Sequence, residues 1–343
     1  MKASQKTDEI QSTELMSIKE NAFKPLWYLK NRHLQTILPN IIHPPFPILE
    51  KERVELEDGD FIDLLWTRIR APQTLLILHG LEGSVHSAYA KRILNYCNAQ
   101  QIPAVLMHFR GCSGEPNRLL RSYHSGETSD LQQVIAHLKS NGIDNIALLG
   151  YSLGGNVTLK YMGESITDPV VRCAIAVSVP LRLDICANTM DQGFAKIYQA
   201  SLLRRLIKKM HLKRELLKND DRDFPDPAMM RNFRQFDDAF TAPIHGFESA
   251  EHYYLSCSSR QYLHHIDRPT LVLQSRDDPF MTDEVLPRKD ELSDSVKLEL
   301  STHGGHVGFI GDNKMRPRLW LETRIHGFLN DQQFFFQKSK LHC

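Results

Sequence analysis

Ile146-Ala147-Leu148-Leu149-Gly150-Tyr151-Ser152-Leu153-Gly154-Gly155-Asn156 is the stretch of sequence that decides the fold. It opens with a continuous apolar run, the pattern of a strand covered on both faces. Gly150 to Gly154 then has the form G-x-S-x-G, and Asn156–Met162 reads as the start of a helix. A turn this sharp brings the backbone close to its neighbours, and glycines at 150 and 154 relieve the crowding because they have no Cβ. The turn exposes the Ser152 hydroxyl at the carboxyl end of a sheet, which makes it a candidate nucleophile rather than an ordinary turn serine. A serine alcohol attacks poorly unless a base lies within hydrogen-bond reach and a third group orients that base.

Further apolar runs flank the stretch at Thr74–Leu78, Ala104–His108, Cys173–Val179 and Pro269–Gln274, with a partly alternating run at Val296–Leu300. Ala88–Gln100 and Asp130–Ser140 place apolar residues at helical spacing between them, the second stopped by Asn141-Gly142. Upstream, Arg53–Leu56 and Phe61–Trp66 straddle Asp58-Gly59, a hairpin signal. Alternating strands and helices predict an α/β protein with a mostly parallel central sheet and helices on both faces. The rhythm breaks over residues 181–265, which offer no clear strand but a long helical stretch, Gln199–Lys218, and a region rich in Phe, His and Tyr. That length is too great for an ordinary crossover and predicts a helical cap inserted over one end of the sheet.

The expected divisions are 1–45, an N-terminal extension docked on the body; 46–180 and 266–335, two parts of the core; 181–265, the cap; and 336–343, a tail. Within the extension, residues 1–20 read as a loose leader, 23–38 as a short helix or turn, and the proline-rich 39–47 as an extended connector.

In this topology the acid and then the base follow the serine. The turn after Thr270–Gln274 offers Asp277 and Asp278. Asp278 is preferred because Pro279 fixes the chain beside it, while Asp277 suits a solvated turn. The last strand leads into Ser301-Thr302-His303-Gly304-Gly305-His306-Val307-Gly308. The glycines let this loop swing an imidazole over the serine, which favours His306 as base over His303. A reference pKa of about 6.5 suits an imidazole to that task. His79-Gly80-Leu81-Glu82-Gly83 follows Thr74–Leu78, so the backbone N–H groups of Leu81 and Leu153 are the expected oxyanion donors. The loop Phe109–Asn117 has neither a dinucleotide nor a P-loop order and reads as structural, and Cys112 lacks the setting of a nucleophile.

Across 343 residues, 42 Lys and Arg against 41 Asp and Glu leave a net charge of +1, so the global balance calls for no polyanionic partner. Six scattered cysteines without a CxxC pair suggest neither a zinc site nor a disulfide framework, but reduced thiols in a cytoplasmic protein. The polar first twenty residues argue against a secretory signal or an N-terminal membrane span. Lys196–Lys218 is locally basic, with eight Lys or Arg and one acid. Its plain reading is an amphipathic helix packing its leucines inward; a second is peripheral contact with anionic membrane. Interleaved bases and aromatics for nucleic acid are absent.

Taken together, Asn31–Thr36, His79–Gly83, Arg110–Gly114, Gly150–Asn156, Asp277–Phe280 and His303–Phe309 make the chain resemble the YheT-like esterase family of the α/β-hydrolase superfamily, over about residues 23–330. The resemblance implies an α/β-hydrolase fold and a serine carboxylic-ester hydrolase with neither a metal nor another cofactor. It aligns the nucleophile with Ser152, the acid with Asp278 and the base with His306. Some eukaryotic relatives carry an N-terminal membrane anchor and act on lipid esters; the polar first twenty residues lead us to expect no such anchor here, so membrane residence and phospholipid specificity are not carried over. The expected substrates are short- or medium-chain aliphatic esters. An acyl thioesterase would use the same three residues, and a non-catalytic scaffold binding a partner through its cap is the alternative from another class.

Overall fold

The computed structural model describes residues 18–20, 23–41, 44–164, 167–313 and 316–335; the leader through residue 17 and the tail 336–343 lie outside the described residues. Its centre is a nine-stranded sheet of β1 (Ile18–Glu20), β2 (Glu50–Glu55), β3 (Phe61–Trp66), β4 (Gln73–Leu78), β5 (Ala104–Met107), β6 (Asn145–Tyr151), β7 (Val171–Val177), β8 (Thr270–Ser275) and β9 (Val296–Ser301). The spatial order is β1-β9-β8-β7-β6-β4-β5-β3-β2. Strands β4 to β9 pair in parallel, whereas β3 runs antiparallel to both β5 and β2. Asp58-Gly59 sits at the β2–β3 turn, with Gly59 at φ +84°.

The continuous apolar runs bury both faces because a strand's side chains alternate. Leu76, Leu78, Val105, Met107, Ile146 and Leu148 face one way, against Leu131, Val134 and Leu138 of helix α3 (Ser129–Ser140) and Val157 and Tyr161 of α4 (Leu153–Gly163). Leu75, Ile77, Leu106, Ala147 and Leu149 face the other way. There they meet Ile93, Leu94 and Cys97 of α2 (Ala88–Gln100) and Leu321, Ile325 and Phe328 of the last helix, α9 (Trp320–Asp331). Each such leucine or isoleucine contributes roughly 1.5–3 kcal/mol on leaving water.

Three expectations differ in detail. Ile18–Glu20, read as part of a loose leader, forms the edge strand β1, parallel to β9. Backbone pairing along an open sheet edge asks for no side-chain periodicity and so leaves little signal. The proline-rich stretch is helical at its start: α1 (Arg32–Ile41) passes through Pro39 and ends before Pro44. The long basic helix is two, α6 (Ala195–Leu212) and α7 (Arg214–Lys218), interrupted at Lys213. At the break Lys213 turns inward and its Nζ donates to the carbonyls of Leu120 (3.1 Å) and Arg121 (3.0 Å).

Between β7 and β8 lie α5 (Leu183–Met190), α6, α7, a helical run over 233–244 with a π-turn at Asp237–Thr241, and α8 (Ala250–Cys257), with no strand among the described residues. Leu203 and Met210 of α6 pack on Phe236 and Phe240 of the helical run.

Candidate active site

Ser152 lies between β6 and α4 with φ +52° and ψ −119°, a backbone that an L residue adopts only when its surroundings force it. The forcing contacts are the close approaches the glycines permit. A Cβ on Gly150 would lie 2.3 Å from the Gly154 carbonyl oxygen, and one on Gly154 would lie 2.5 Å from that of His79. The Ser152 N–H donates to Val177 O at 2.8 Å, which ties the turn to β7.

Asp278 follows β8 and is fully buried. Its Oδ1 accepts the N–H of Phe280 at 2.9 Å, and its Oδ2 stands 2.8 Å from His306 Nδ1. His306 Nε2 in turn is 2.9 Å from Ser152 Oγ. The chain thus brings Ser152, His306 and Asp278 into one hydrogen-bonded line although 126 and 154 residues separate the serine from the other two. Asp277 is turned elsewhere: its Oδ1 accepts the Gly305 N–H at 2.9 Å, and its Oδ2 is 3.4 Å from His303 Nδ1. His303 therefore stands away from the serine, on the acid next door.

The loop after β4 is held open by two tyrosines. Gly80 N–H donates to Tyr89 Oη at 2.8 Å and Glu82 N–H to Tyr123 Oη at 2.7 Å. Between them the Leu81 N–H, and across the turn the Leu153 N–H at the first position of α4, donate to no protein acceptor among the described residues. His79 fixes the loop from beneath, with Nδ1 2.7 Å from Gly80 O and Nε2 accepting the Phe109 N–H at 3.1 Å. Burial pushes its pKa down to about 3, so it is a neutral structural imidazole at pH 7.

A cavity of about 140 Å³ adjoins Ser152 and His306. Leu183, Met190, Leu206, Phe236, Phe240 and Met281 form much of its wall, most of them from the segment between β7 and β8. Asp237 is a half-buried polar exception. It accepts hydrogen bonds from Thr241 (2.6 Å) and Tyr254 (2.7 Å), and burial raises its pKa to about 6. Lys209 of α6 also lines the cavity and pairs with Glu82 at 2.7 Å. Burial pushes the Cys112 thiol up to about 11, which keeps it protonated and unreactive. Among the described residues no three His, Cys, Asp or Glu side chains cluster to hold a metal.

Several supports left no local trace in the sequence: Phe280 against His306, the tyrosine props, and the Lys209–Glu82 pair. Their partners lie from nine to 127 residues away, and nothing in either stretch marks the other.

The sequence profile of the alpha/beta hydrolase fold matches residues 73–312. The chain is 39% identical over 331 residues to the Escherichia coli (strain K12) protein named "Putative esterase YheT", covering 94% of this chain and 97% of that one. It is 30% identical over 270 residues to a monoacylglycerol lipase of Saccharomyces cerevisiae, covering 76% of this chain and 59% of the yeast protein. Among solved structures, the Pyrococcus furiosus esterase Pf2001 superposes with a TM-score of 0.55 over 92% of this chain and 97% of its own, at 16% identity, a likeness of fold. The sheet order, the strained serine turn and the match to YheT along almost its whole length agree: the chain belongs to the α/β-hydrolase family, in its YheT-like group.

Proposed function

We propose that this chain is a serine carboxylic-ester hydrolase that works through an acyl-enzyme. The observation that carries the reading is the continuous line from Ser152 Oγ to His306 Nε2 (2.9 Å) and from His306 Nδ1 to Asp278 Oδ2 (2.8 Å). Neutral His306 accepts the Ser152 proton at Nε2 while Oγ attacks the ester carbonyl carbon. Asp278 keeps the other ring proton on Nδ1 and balances the charge that forms on the ring. The oxyanion takes hydrogen bonds from the N–H groups of Leu81 and Leu153. His306 then delivers its proton to the departing alcohol, and a water deprotonated at the same nitrogen releases the acid.

The apolar wall of the cavity favours an aliphatic acyl group of short or medium length, in keeping with the ester- and lipid-directed names of the relatives. A fluorophosphonate probe is expected to label Ser152, and the protein to hydrolyse p-nitrophenyl acyl esters. The variant Ser152→Ala should lose both while remaining folded. Turnover that persists in that variant rejects the assignment. Thioesters tested beside the oxygen esters set the preferred leaving group.

Peripheral contact with anionic membrane through 196–218 is a separate proposal. Of the eight basic residues there, Lys209 and Lys213 point inward, and the remaining six are exposed beside Ile197 and Leu212. Among the described residues no helix is long and apolar enough to cross a membrane. Flotation with anionic but not neutral liposomes is the expected result; no flotation with either refutes the contact.

A further inference from the structure

Asn31-Arg32-His33-Leu34-Gln35-Thr36 precedes and opens α1, far in sequence from the loops that carry Asp278 and His306, yet it is bonded to both. Thr36 Oγ1 accepts the His306 N–H at 3.0 Å and donates to Arg32 O at 2.8 Å. Arg32 Nε donates to Asp277 O at 2.7 Å, and its Nη2 reaches Asp278 O at 3.4 Å. Buried Gln35 accepts the Ile310 N–H at 2.8 Å, and its amide donates to Ile310 O at 3.0 Å and Leu29 O at 2.8 Å. The approach leaves no slack: a Cβ on Gly308 would lie 2.1 Å from Gln35 O, and one on Gly305 would lie 2.7 Å from Arg32 O.

The loop held in this way needs holding. Gly305, Val307 and Phe309 have φ of +57°, +58° and +48°, and for the last two, which carry side chains, such backbone persists only where the surroundings over-determine it. A largely buried backbone N–H also needs an acceptor, and for His306 the acceptor is a side chain of α1. The imidazole hangs from that backbone, so a shift there moves Nε2 against Ser152 Oγ.

We propose that α1 is a positioning element of the active site, in which Thr36 and Arg32 set the backbones of His306 and Asp278 at the separation the serine–histidine–aspartate line requires. None of residues 31–36 touches the reacting atoms. The inference rests on the serine mechanism proposed above, and the experiment separates the two.

Full-length protein, Thr36→Val, Thr36→Ser and Arg32→Lys are compared for p-nitrophenyl butyrate hydrolysis, with active sites counted by exhaustive fluorophosphonate labelling and folding followed by thermal melts. Thr36→Val is expected to lower kcat per labelled site roughly tenfold to a hundredfold, the scale on which small misplacements act, with KM little changed. Thr36→Ser keeps the acceptor and should recover most of the loss. Arg32→Lys, at a side chain open to solvent, should lower kcat in the same direction and covers the case in which Thr36→Val does not fold. A merely structural helix would lower the melting temperature and the number of labelled sites but not the rate per site. An unchanged kcat per site in Thr36→Val, or in Arg32→Lys if the valine variant is unfolded, overturns the inference while the serine mechanism stands. A wild-type protein that neither labels nor turns over overturns both.

Discussion

The ring of Phe280 lies flat against the imidazole of His306, with centroids 3.9 Å apart and planes inclined by 17°. The same residue donates its N–H to Asp278 Oδ1, which leaves Oδ2 to face His306 Nδ1. One residue therefore steadies both Asp278 and His306, the proposed acid and base, and Tyr198 of α6 backs it with ring centroids 5.1 Å away. Phe280→Leu keeps apolar volume but removes the flat face. A stacked ring is worth about 1 kcal/mol beyond its area, so kcat is expected to fall roughly fivefold to tenfold, with Phe280→Tyr near wild type. Equal rates for the leucine and tyrosine variants in steady-state ester hydrolysis would remove the stack from the account.

The neighbouring acids offer a sharper test. Asp278→Asn keeps the shape but presents an amide that can hold His306 in the wrong tautomer, a change that costs about 10⁴ in kcat in serine proteases. Asp277 binds the Gly305 N–H and faces His303 rather than His306. Asp277→Asn retains an oxygen acceptor there, and its kcat should stay within roughly tenfold of wild type, since it touches no group in the proton path. Matching losses in both variants would mean that the acid has been misassigned.

The serine turn, the acid turn and the histidine loop were legible because each is a short local pattern of glycine or proline next to a strand. Their placement follows from the parallel sheet, which delivers the ends of β6, β8 and β9 to one edge. The helices flanking β5 were legible from spacing alone, α2 to the residue. What stayed hidden depends on contacts between distant segments. Edge strand β1 needs only the open backbone of β9, and at the break Lys213 reaches carbonyls 92 and 93 residues away. Thr36 was visible within a motif, but nothing local connects its hydroxyl with the N–H of His306.

The turn at Ser152 also makes a stability prediction. Gly154→Ala would set a methyl group 2.5 Å from His79 O and 2.6 Å from Leu78 O, both rigid backbone atoms of the sheet end. Overpacking of this kind costs roughly 1–3 kcal/mol or more, and relief would require the turn to move away from β4. Loss of fluorophosphonate labelling with a lowered unfolding midpoint in urea is expected. A variant as stable and as reactive as wild type would show that the turn has room that the contacts deny.

The cavity wall predicts how chain length is set. Ala187 of α5 lines the cavity beside Leu183 and Met190. Ala187→Phe fills part of the space while leaving Ser152, His306 and Asp278 untouched. One methylene in an apolar pocket is worth about 1–3 kcal/mol, so kcat/KM for an octanoyl ester should fall by tenfold or more relative to that for an acetyl ester. Parallel changes for the two esters would place the acyl chain elsewhere.

Acid should unfold the protein through histidines that play no part in the chemistry. Burial lowers the pKa of His79 to about 3, His108 to about 4 and His124 to about 3. Each uses a ring nitrogen as acceptor, from the N–H of Phe109, Val85 and Gly126 respectively, so protonation there would break a bond. Glu127 lies 3.5 Å from His124 Nε2 and opposes the shift without cancelling it. Below pH 6.5 the unfolded chain takes up protons that the folded chain refuses, so stability falls as pH drops, and three such groups lose about 4 kcal/mol per pH unit. Asp237 works the other way: its pKa of about 6 when folded, against 3.8 when free, stabilises the fold as pH falls from 6 toward 4, by at most about 1.4 kcal/mol per unit. The histidines outweigh it, and the net loss of about 3 kcal/mol per unit between pH 6 and 5 consumes much of an ordinary domain's stability. Urea unfolding at pH 7 and pH 5 should show a markedly lower midpoint at the acid end, with His124→Phe reducing the difference by somewhat under half, since each histidine supplies about 1.4 of the net loss of about 3 kcal/mol per unit. Equal midpoints at the two pH values would mean that these rings already accept protons in the folded protein.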